Sequence, residues 1–395
     1  MFTAEKEELE QLGAEITTRE IRQQPELWQE TVTLYHENQT ALENFLKEVQ
    51  AKAQGKRTRV IFTGAGTSQY VGDTVVPYLR AHGDTQAFSF ESIGTTDIVA
   101  KPEDYLIKDE PTLLVSFARS GNSPESLAAV EVANQVVETI HHLAITCAEE
   151  GQLAQISQKE ENSFLFLMPT RSNDGGFAMT GSFSCMTLGT LLLFDQTAFE
   201  QKQDYVTALI KLGEEVLSRE EELNEIVNLD FERIVYVGSG SLAGLTREAQ
   251  LKILELTAGK VATIFDSSMG FRHGPKSFIN EKTIMFGFVN NTPYTRDYDL
   301  DILEEVHGDE IAAGVFAIAQ PGKRNFSGST IEYSAETALL PDGYLALADI
   351  MVAQTVALLT SIKVGNKPDT PSPTGTVNRV VKGVTIYDSR IVKLS

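Results

Sequence analysis

The chain has 395 residues, 42% of them hydrophobic, and a formal net charge of −22, which is enough apolar content for two domain-sized cores. So acidic a surface argues against nucleic acid and against anionic membranes as partners, because both need a basic face. No run of eighteen apolar residues and no basic start followed by a hydrophobic core is present, so neither a membrane-spanning nor a secreted protein is expected, and the distant Cys147 and Cys185 fit a reducing cytoplasm without a disulfide.

Residues 1–54 read as helical. Thr17-Thr-Arg-Glu20 has the form of a capping box, and Pro25 precedes an amphipathic run through Trp28, Val32, Tyr35, Leu42, Phe45 and Leu46. An α/β unit then opens with Arg59-Val-Ile-Phe-Thr-Gly64-Ala-Gly66-Thr67-Ser68, a strand running into a glycine turn and a helix to about Leu79. Gln69 stands at the third glycine position of a dinucleotide fingerprint, where a small residue is required. Glu91 could serve as that fingerprint's acidic residue, but a nicotinamide site is not expected.

Leu113-Leu-Val-Ser-Phe-Ala-Arg119-Ser120-Gly121-Asn122-Ser123-Pro-Glu-Ser126 is the stretch around which the rest is organised. A buried strand breaks at Ser120–Asn122 and restarts as a helix with Ser123 as N-cap and Pro124 at its first position. Small hydroxyl residues over a helix N-terminus make a ready anion site, with Gly121 allowing close backbone approach. Further on, Ser163–Pro169 reads as a buried strand, Arg171–Gly176 as a polar loop containing Asp174, and Met179–Phe194 as a nearly all-apolar helix for the core or a subunit contact. Gln201–Val227 reads as one acidic amphipathic helix.

The first pattern then returns. Placing Gly64 on Gly238 aligns Gly66 with Gly240 and Arg59 with Arg233, so two copies of one α/β domain are expected. Thr283–Asn290 takes the place of the loop-bearing strand in the second copy. Asn291-Thr-Pro-Tyr294 lacks the Ser-Gly-x-Ser pattern there, so this copy should have lost its anion. Asn366–Gly375 must be a loop, and a basic, β-branched segment, 377–386, follows. The expected division is a helical segment 1–54, a first α/β domain 55–200, a helical linker 201–228, a second domain 229–364 and a tail 365–395. Each domain is expected to be a parallel sheet flanked by helices, an αβα sandwich.

Two places concentrate chemistry. On the helix after the second glycine turn, Glu248 and Glu255 lie two turns apart and share a face. In Asp266–Lys276 a single histidine, His273, sits in a Gly/Pro-bounded loop. The six histidines show no metal-ligand spacing, and adjacent His141 and His142 would point apart, so no metal is expected.

Taken together and in order, the G-x-G-T-S turn, the Ser-Gly-x-Ser loop, the Lys252-x-x-Glu255 helix and the Arg272-His273-Gly-Pro loop resemble double sugar isomerase (SIS) domain proteins, including the isomerase half of glucosamine-6-phosphate synthase. The N-terminal Thr17–Trp28 stretch resembles more closely the tagatose-6-phosphate ketose/aldose isomerase family, also described as galactosamine-6-phosphate deaminases. The resemblance implies phosphate ligands at Ser68, Ser120 and Ser123, in a pocket formed with Gly66, Thr67, Gly121 and Asn122. It also implies a proton-transfer carboxylate at Glu255 supported by Glu248, a ring-opening histidine at His273, and a tail lysine, Lys382, reaching the active site.

Ala118 and Arg119 depart from the synthase pattern of serine and glutamine, so Arg119 is expected to supply charge at that edge of the pocket. Asp174 is a candidate neighbour for a C2 amino group. No cofactor is implied, and a cytoplasmic homodimer or higher homo-oligomer with its site near the subunit interface is. Without an amidotransferase domain, ammonia release is the expected direction: galactosamine 6-phosphate to tagatose 6-phosphate. A simple ketose/aldose isomerase and a non-catalytic sugar-phosphate-binding regulator are the alternatives.

Overall fold

The computed structural model describes residues 1–381 and 383–388. Three helices lead: α1 (Lys6–Leu12), α2 (Glu15–Arg22) and α3 (Gln24–Lys52). Then come β1 (Thr58–Thr63), α4 (Thr67–His82), β2 (Phe88–Ser92), α5 (Thr95–Ala100), β3 (Thr112–Ala118), α6 (Pro124–Val136), β4 (Ile140–Thr146), α7 (Gln152–Ser157) and β5 (Ser163–Leu167). Helices α8 (Gly181–Phe194), α9 (Phe199–Ser218) and α10 (Glu220–Val227) follow. The pattern restarts with β6 (Arg233–Gly238), α11 (Ser241–Leu256), β7 (Ala262–Ser267), β8 (Thr283–Phe288), α12 (Pro293–Gly308), β9 (Gly314–Ala319), β10 (Ser329–Glu332) and α13 (Asp342–Lys363). The chain divides into two compact units. One comprises Gln29–Asp174, Gly181–Ala198 and the segment from Val377 on; the other comprises Met1–Trp28, Gly175–Thr180 and Phe199–Thr376.

In the first of these units five parallel strands run in the order β2-β1-β3-β4-β5. Every residue of central β3 is buried, which is why its sequence is aliphatic without alternation. One face packs Ile61, Leu114 and Ala144 against Ala129, Val132 and Ala133 of α6. Helix α8 is buried along its whole length and lies on α4, so its apolar sequence serves this unit's core.

In the other unit the order is β10-β9-β8-β6-β7, again all parallel. Numbered from its own first strand this is the same 2-1-3-4-5 arrangement, so the duplication seen in the glycine turns extends to the whole topology. Helix α13 is long and apolar enough to cross a membrane, but 94% of its apolar window is buried inside the protein, where it packs on α11, α9 and α10.

Two local expectations are corrected. Thr17 is not a helix cap, because α2 begins at Glu15 and contains it. The cap comes from the far end of the chain, where Asp369 accepts the N–H groups of Ile16 and Thr17 and the Thr17 hydroxyl. Glu20 instead accepts the N–H groups of Gly175 and Gly176. The stretch 201–227 is two helices, not one: it breaks at Arg219, which pairs with Glu215 on one side and Glu222 on the other.

Candidate active site

In a 2-1-3-4-5 sheet the strand order reverses between the first and third strands, and ligands bind beyond their carboxyl ends. Both candidate anion-binding segments of the β1–β5 unit leave that point, since β1 and β3 pair side by side. The turn after β1 is tight: a Cβ on Gly64 would lie 2.6 Å from the backbone and Cβ of Ser68. Gly66 adopts φ +57°, and nothing lies within 4 Å of where its side chain would be. Thr67 and Ser68, both buried, begin α4.

The loop after β3 is shaped by its neighbours. Gly121 has φ +67° and packs on Gly151, and its carbonyl accepts the Leu153 N–H at 3.0 Å. Asn122 spends its side chain on the fold: Oδ1 accepts the Gln152 N–H at 3.1 Å, and Nδ2 donates to the Ser120 carbonyl at 3.1 Å. Ser123 takes the N-cap position ahead of Pro124, but its hydroxyl makes no capping hydrogen bond. The half-buried Ser120 and Ser123 therefore stand at the positive end of a 13-residue helix, α6. Arg119 is buried beneath them and donates Nη2–H to the Arg379 carbonyl at 2.7 Å.

The equivalent point in the β6–β10 unit is occupied by the protein itself. A Cβ on Gly240 (φ +61°) would lie 2.5 Å from Asp342 Oδ2. That oxygen accepts the Ser241 N–H at 3.1 Å and Asn290 Nδ2–H at 3.3 Å. Asp299 accepts the hydroxyls of Ser239 and Ser268 and the Asn290 N–H, while burial pushes its carboxyl above the usual range. Two carboxylates thus fill the second cradle.

What the second unit offers instead is a face of α11. Lys252 and Glu248 are fully buried, and the Glu255 side chain keeps 22% exposure. Lys252 Nζ lies 3.1 Å from Glu248 Oε1 and 2.6 Å from Glu255 Oε2. Burial acts to lower the Lys252 pKa, but the two carboxylates outweigh it and the net shift is upward, so the ammonium stays charged. Of the two carboxylates Glu255 is the one with an exposed portion, held by Lys252 from below. Glu255 lies about 21 Å along the helix from Ser241, at 1.5 Å per residue, and so is not part of the plugged cradle.

His273 is exposed between two short 3₁₀ turns, Gly270–Arg272 and Pro275–Phe278. Its loop is stapled to α12: Glu305 accepts Arg272 Nε–H and Lys276 Nζ–H, each at 2.6 Å, and Lys276 also pairs with Asp309. Those bonds, from Lys276 first and Arg272 second, hold the Glu305 carboxyl below its usual range. No hydrogen bond or ion pair joins His273 to Glu255 among the described residues.

Asp174 does not fit a substrate-facing role. It is fully buried, and its carboxylate accepts the N–H groups of Gly181 and Ser182 at the start of α8. Lys382 lies outside the described residues. Sequence reasoning passed over Lys252 as a site residue, although its spacing of four from Glu248 and three from Glu255 signals contact on a helix. Nothing local marked Arg379 or Asp342.

Two 2-1-3-4-5 sheets, one with an open hydroxyl-lined cradle and the other with a carboxylate-bearing helix, define a double SIS-domain protein of the sugar-phosphate isomerase type. No protein-family model matches the chain. It is 44% identical over 385 residues to D-galactosamine-6-phosphate deaminase AgaS of Escherichia coli O157:H7, spanning 94% of this chain and 95% of that protein. The crystal structure of tagatose-6-phosphate ketose/aldose isomerase from Escherichia coli superposes with a TM-score of 0.84 at 40% identity, covering 95% of this chain and 96% of that one. The C-terminal domain of glucosamine-fructose-6-phosphate aminotransferase from Francisella tularensis shares the fold, with a TM-score of 0.73 at 18% identity over 90% of this chain and 97% of that one. The chain belongs to the family of the AgaS deaminases and tagatose-6-phosphate ketose/aldose isomerases, and it is an enzyme.

Proposed function

We propose that the chain converts D-galactosamine 6-phosphate and water to D-tagatose 6-phosphate and ammonia. The observation that carries the reading is the buried Lys252, which holds Glu255 as the carboxylate with an exposed portion. The substrate follows from the name of the AgaS relative.

Ser68, Ser120 and Ser123 hold the phosphate, with the backbone of Gly66, Thr67, Gly121 and Asn122 lining the cradle and Arg119 adding charge. His273 serves as acid/base at the ring oxygen, opening the sugar. Glu255 then takes the C2 proton and returns it at C1, converting the aldehyde and C2 amine through an enolamine to a C2 ketimine. Water adds to C2, ammonia departs, and the ketone remains, so the net chemistry includes a hydrolysis. Binding energy from the phosphate end of the sugar orients C1 and C2 for the proton transfer. Glu248 keeps Lys252 in place.

In this reading residues 55–200 bind the phosphate, 229–364 carry Glu255 and His273, and 365–395 form the tail, with 1–54 and 201–228 as helical framework. The protein works in the cytoplasm as a homodimer; the exposed His273 loop and the half-exposed Phe265 and Met269 near it support a second copy there. The tagatose-6-phosphate isomerase relative favours a second reading, simple ketose/aldose interconversion. An ammonia assay run beside a ketose assay on galactosamine 6-phosphate and galactose 6-phosphate separates them. Stoichiometric ammonia and ketose from the amino sugar, with a lower kcat/KM for galactose 6-phosphate, is the expected result. Brisk ketose formation from galactose 6-phosphate without ammonia from any hexosamine 6-phosphate leaves the isomerase.

A further inference from the structure

We propose that Arg119 and Arg379 form a latch fixing the C-terminal segment to the phosphate loop, which makes both of them positioning residues. The proposal rests on the phosphate-loop reading above. The described part of this segment, 377–381 and 383–388, contains no helix or strand, so it has no ladder to hold it and must be anchored by individual groups. Arg379 supplies them in two directions. Its carbonyl accepts Nη2–H of Arg119 at 2.7 Å. Its own guanidinium donates from Nε to the Asp174 carbonyl at 2.9 Å, and from Nη2 to that same carbonyl and to Asn173 Oδ1 at 3.3 Å.

Both anchor points are rigid. Arg119 is buried and is separated from β3 by no residue and from Ser120 by none. Asp174 is tied by its carboxylate to the N-terminus of α8. Beyond the latch, Val384–Asp388 form one wall of a cavity of about 990 Å³ whose other wall includes Glu125, Ala128 and Glu131. These three residues belong to α6, the helix that the phosphate loop starts. Arg119 therefore has a second duty besides lending charge to the phosphate. The fork geometry of guanidinium lets it meet a carbonyl while its charge stays at the loop, which an ammonium point charge does less well.

The test uses the full-length protein and two readouts. Tryptic cleavage after Arg379 requires that side chain to leave Asp174, so it reports the latch without reference to turnover. Arg119→Met should speed that cleavage at least fivefold. Arg379→Met lies outside the phosphate cradle, so it should lower kcat about tenfold while leaving the inhibition constant of inorganic phosphate within about twofold. Arg119→Lys, which keeps one donor for the Arg379 carbonyl, should recover part of what Arg119→Met loses. Unchanged cleavage in Arg119→Met overturns the latch. So does an Arg379→Met enzyme that keeps full kcat or that loses phosphate affinity as strongly as kcat. If the wild-type protein turns over no hexosamine or hexose 6-phosphate, the proposed function has failed, and the cleavage comparison still decides the latch.

Discussion

Asp342 Oδ2 accepts the backbone N–H of Ser241 at 3.1 Å, filling the position that lies open beside Gly66 in the other unit. Both glycines have nearly the same backbone, φ +57° at Gly66 and φ +61° at Gly240. The two cradles were built alike, and the difference lies in what occupies them. Asp342 begins α13, so its carboxylate reaches the N-terminus of α11 and satisfies an N–H that a phosphate could otherwise take. A unit that plugs this position with its own side chain is free to use another surface, and the proposed function gives that part to the face of α11 bearing Glu255.

Removing the plug should expose the old cradle. Asp342→Ala leaves the Ser241 N–H and Asn290 Nδ2 without their acceptor, costing about 1–2 kcal/mol. Millimolar sulfate or phosphate should then raise the melting temperature of the variant more than that of the wild type. Equal anion effects on both proteins would mean that Asp342 caps a helix and nothing more.

The phosphate loop is tested by replacing Ser120 and Ser123 with alanine together. Hydrogen bonds to a charged group contribute about 1.5–3 kcal/mol each, so substrate KM should rise at least a hundredfold. Ser123 makes no capping hydrogen bond, and the Ser120 hydroxyl accepts only a long 3.4 Å bond from the Asn122 N–H, so the melting temperature should fall only slightly. A KM within about a factor of two of wild type would reduce the loop to an ordinary turn.

On α11 the three charged residues should separate cleanly. Glu255→Gln keeps the bond to Lys252 but removes the base, so kcat should fall by about 10²–10⁴ with a modest change in KM. Glu248→Gln should cost far less, since Lys252 retains Glu255. Lys252→Met removes a cation paired with the fully buried Glu248, and breaking such a buried pair costs about 3–5 kcal/mol. Its signature is a lower melting temperature together with lost activity. Comparable kcat losses in Glu248→Gln and Glu255→Gln would show that the wrong carboxylate has been assigned the proton.

The sheets were legible because a strand–glycine turn–helix signature is local and occurs twice. The same holds for Ser-Gly-x-Ser before Pro124, where the helix starts as the sequence implies. Local patterns misled where tertiary partners decide. Thr17-x-x-Glu20 satisfies a capping box, yet Asp369 at the other end of the chain performs the capping. Glu91, which could have marked a ribose site, is held by two nitrogens of Arg59 on the neighbouring strand. Asp174 looked like a pocket carboxylate because composition cannot report its burial under α8. The roles of Asp342, Glu305 and Arg379 depend on partners 29 or more residues away in sequence for Glu305 and far more for the others, beyond any spacing rule.

Acid stability provides the last expectation. His142 on β4 is buried, with Nε2 bonded to Asn134 Oδ1 at 2.8 Å. Burial first and the neighbouring His141 second push its pKa down to about 4. In the unfolded chain a histidine titrates near 6.5. Between about pH 6.5 and 4 the unfolded state therefore binds a proton that the native state refuses, and stability must fall as the solution is acidified through that window. The full shift corresponds to roughly 3 kcal/mol, and His141, also lowered by burial, acts in the same direction. Carboxylates held low by partners, such as Glu305, lose their contribution only below about pH 4.3, the unfolded glutamate value, so the histidine window can be read separately. His142→Gln can keep a bond to Asn134 but does not titrate. Urea midpoints measured from pH 7.5 to 4.5 should fall less steeply for this variant than for the wild type, whatever their offset at neutral pH. Parallel curves would mean that His142 is protonated within the fold and that its burial does not set the acid limit of this unit.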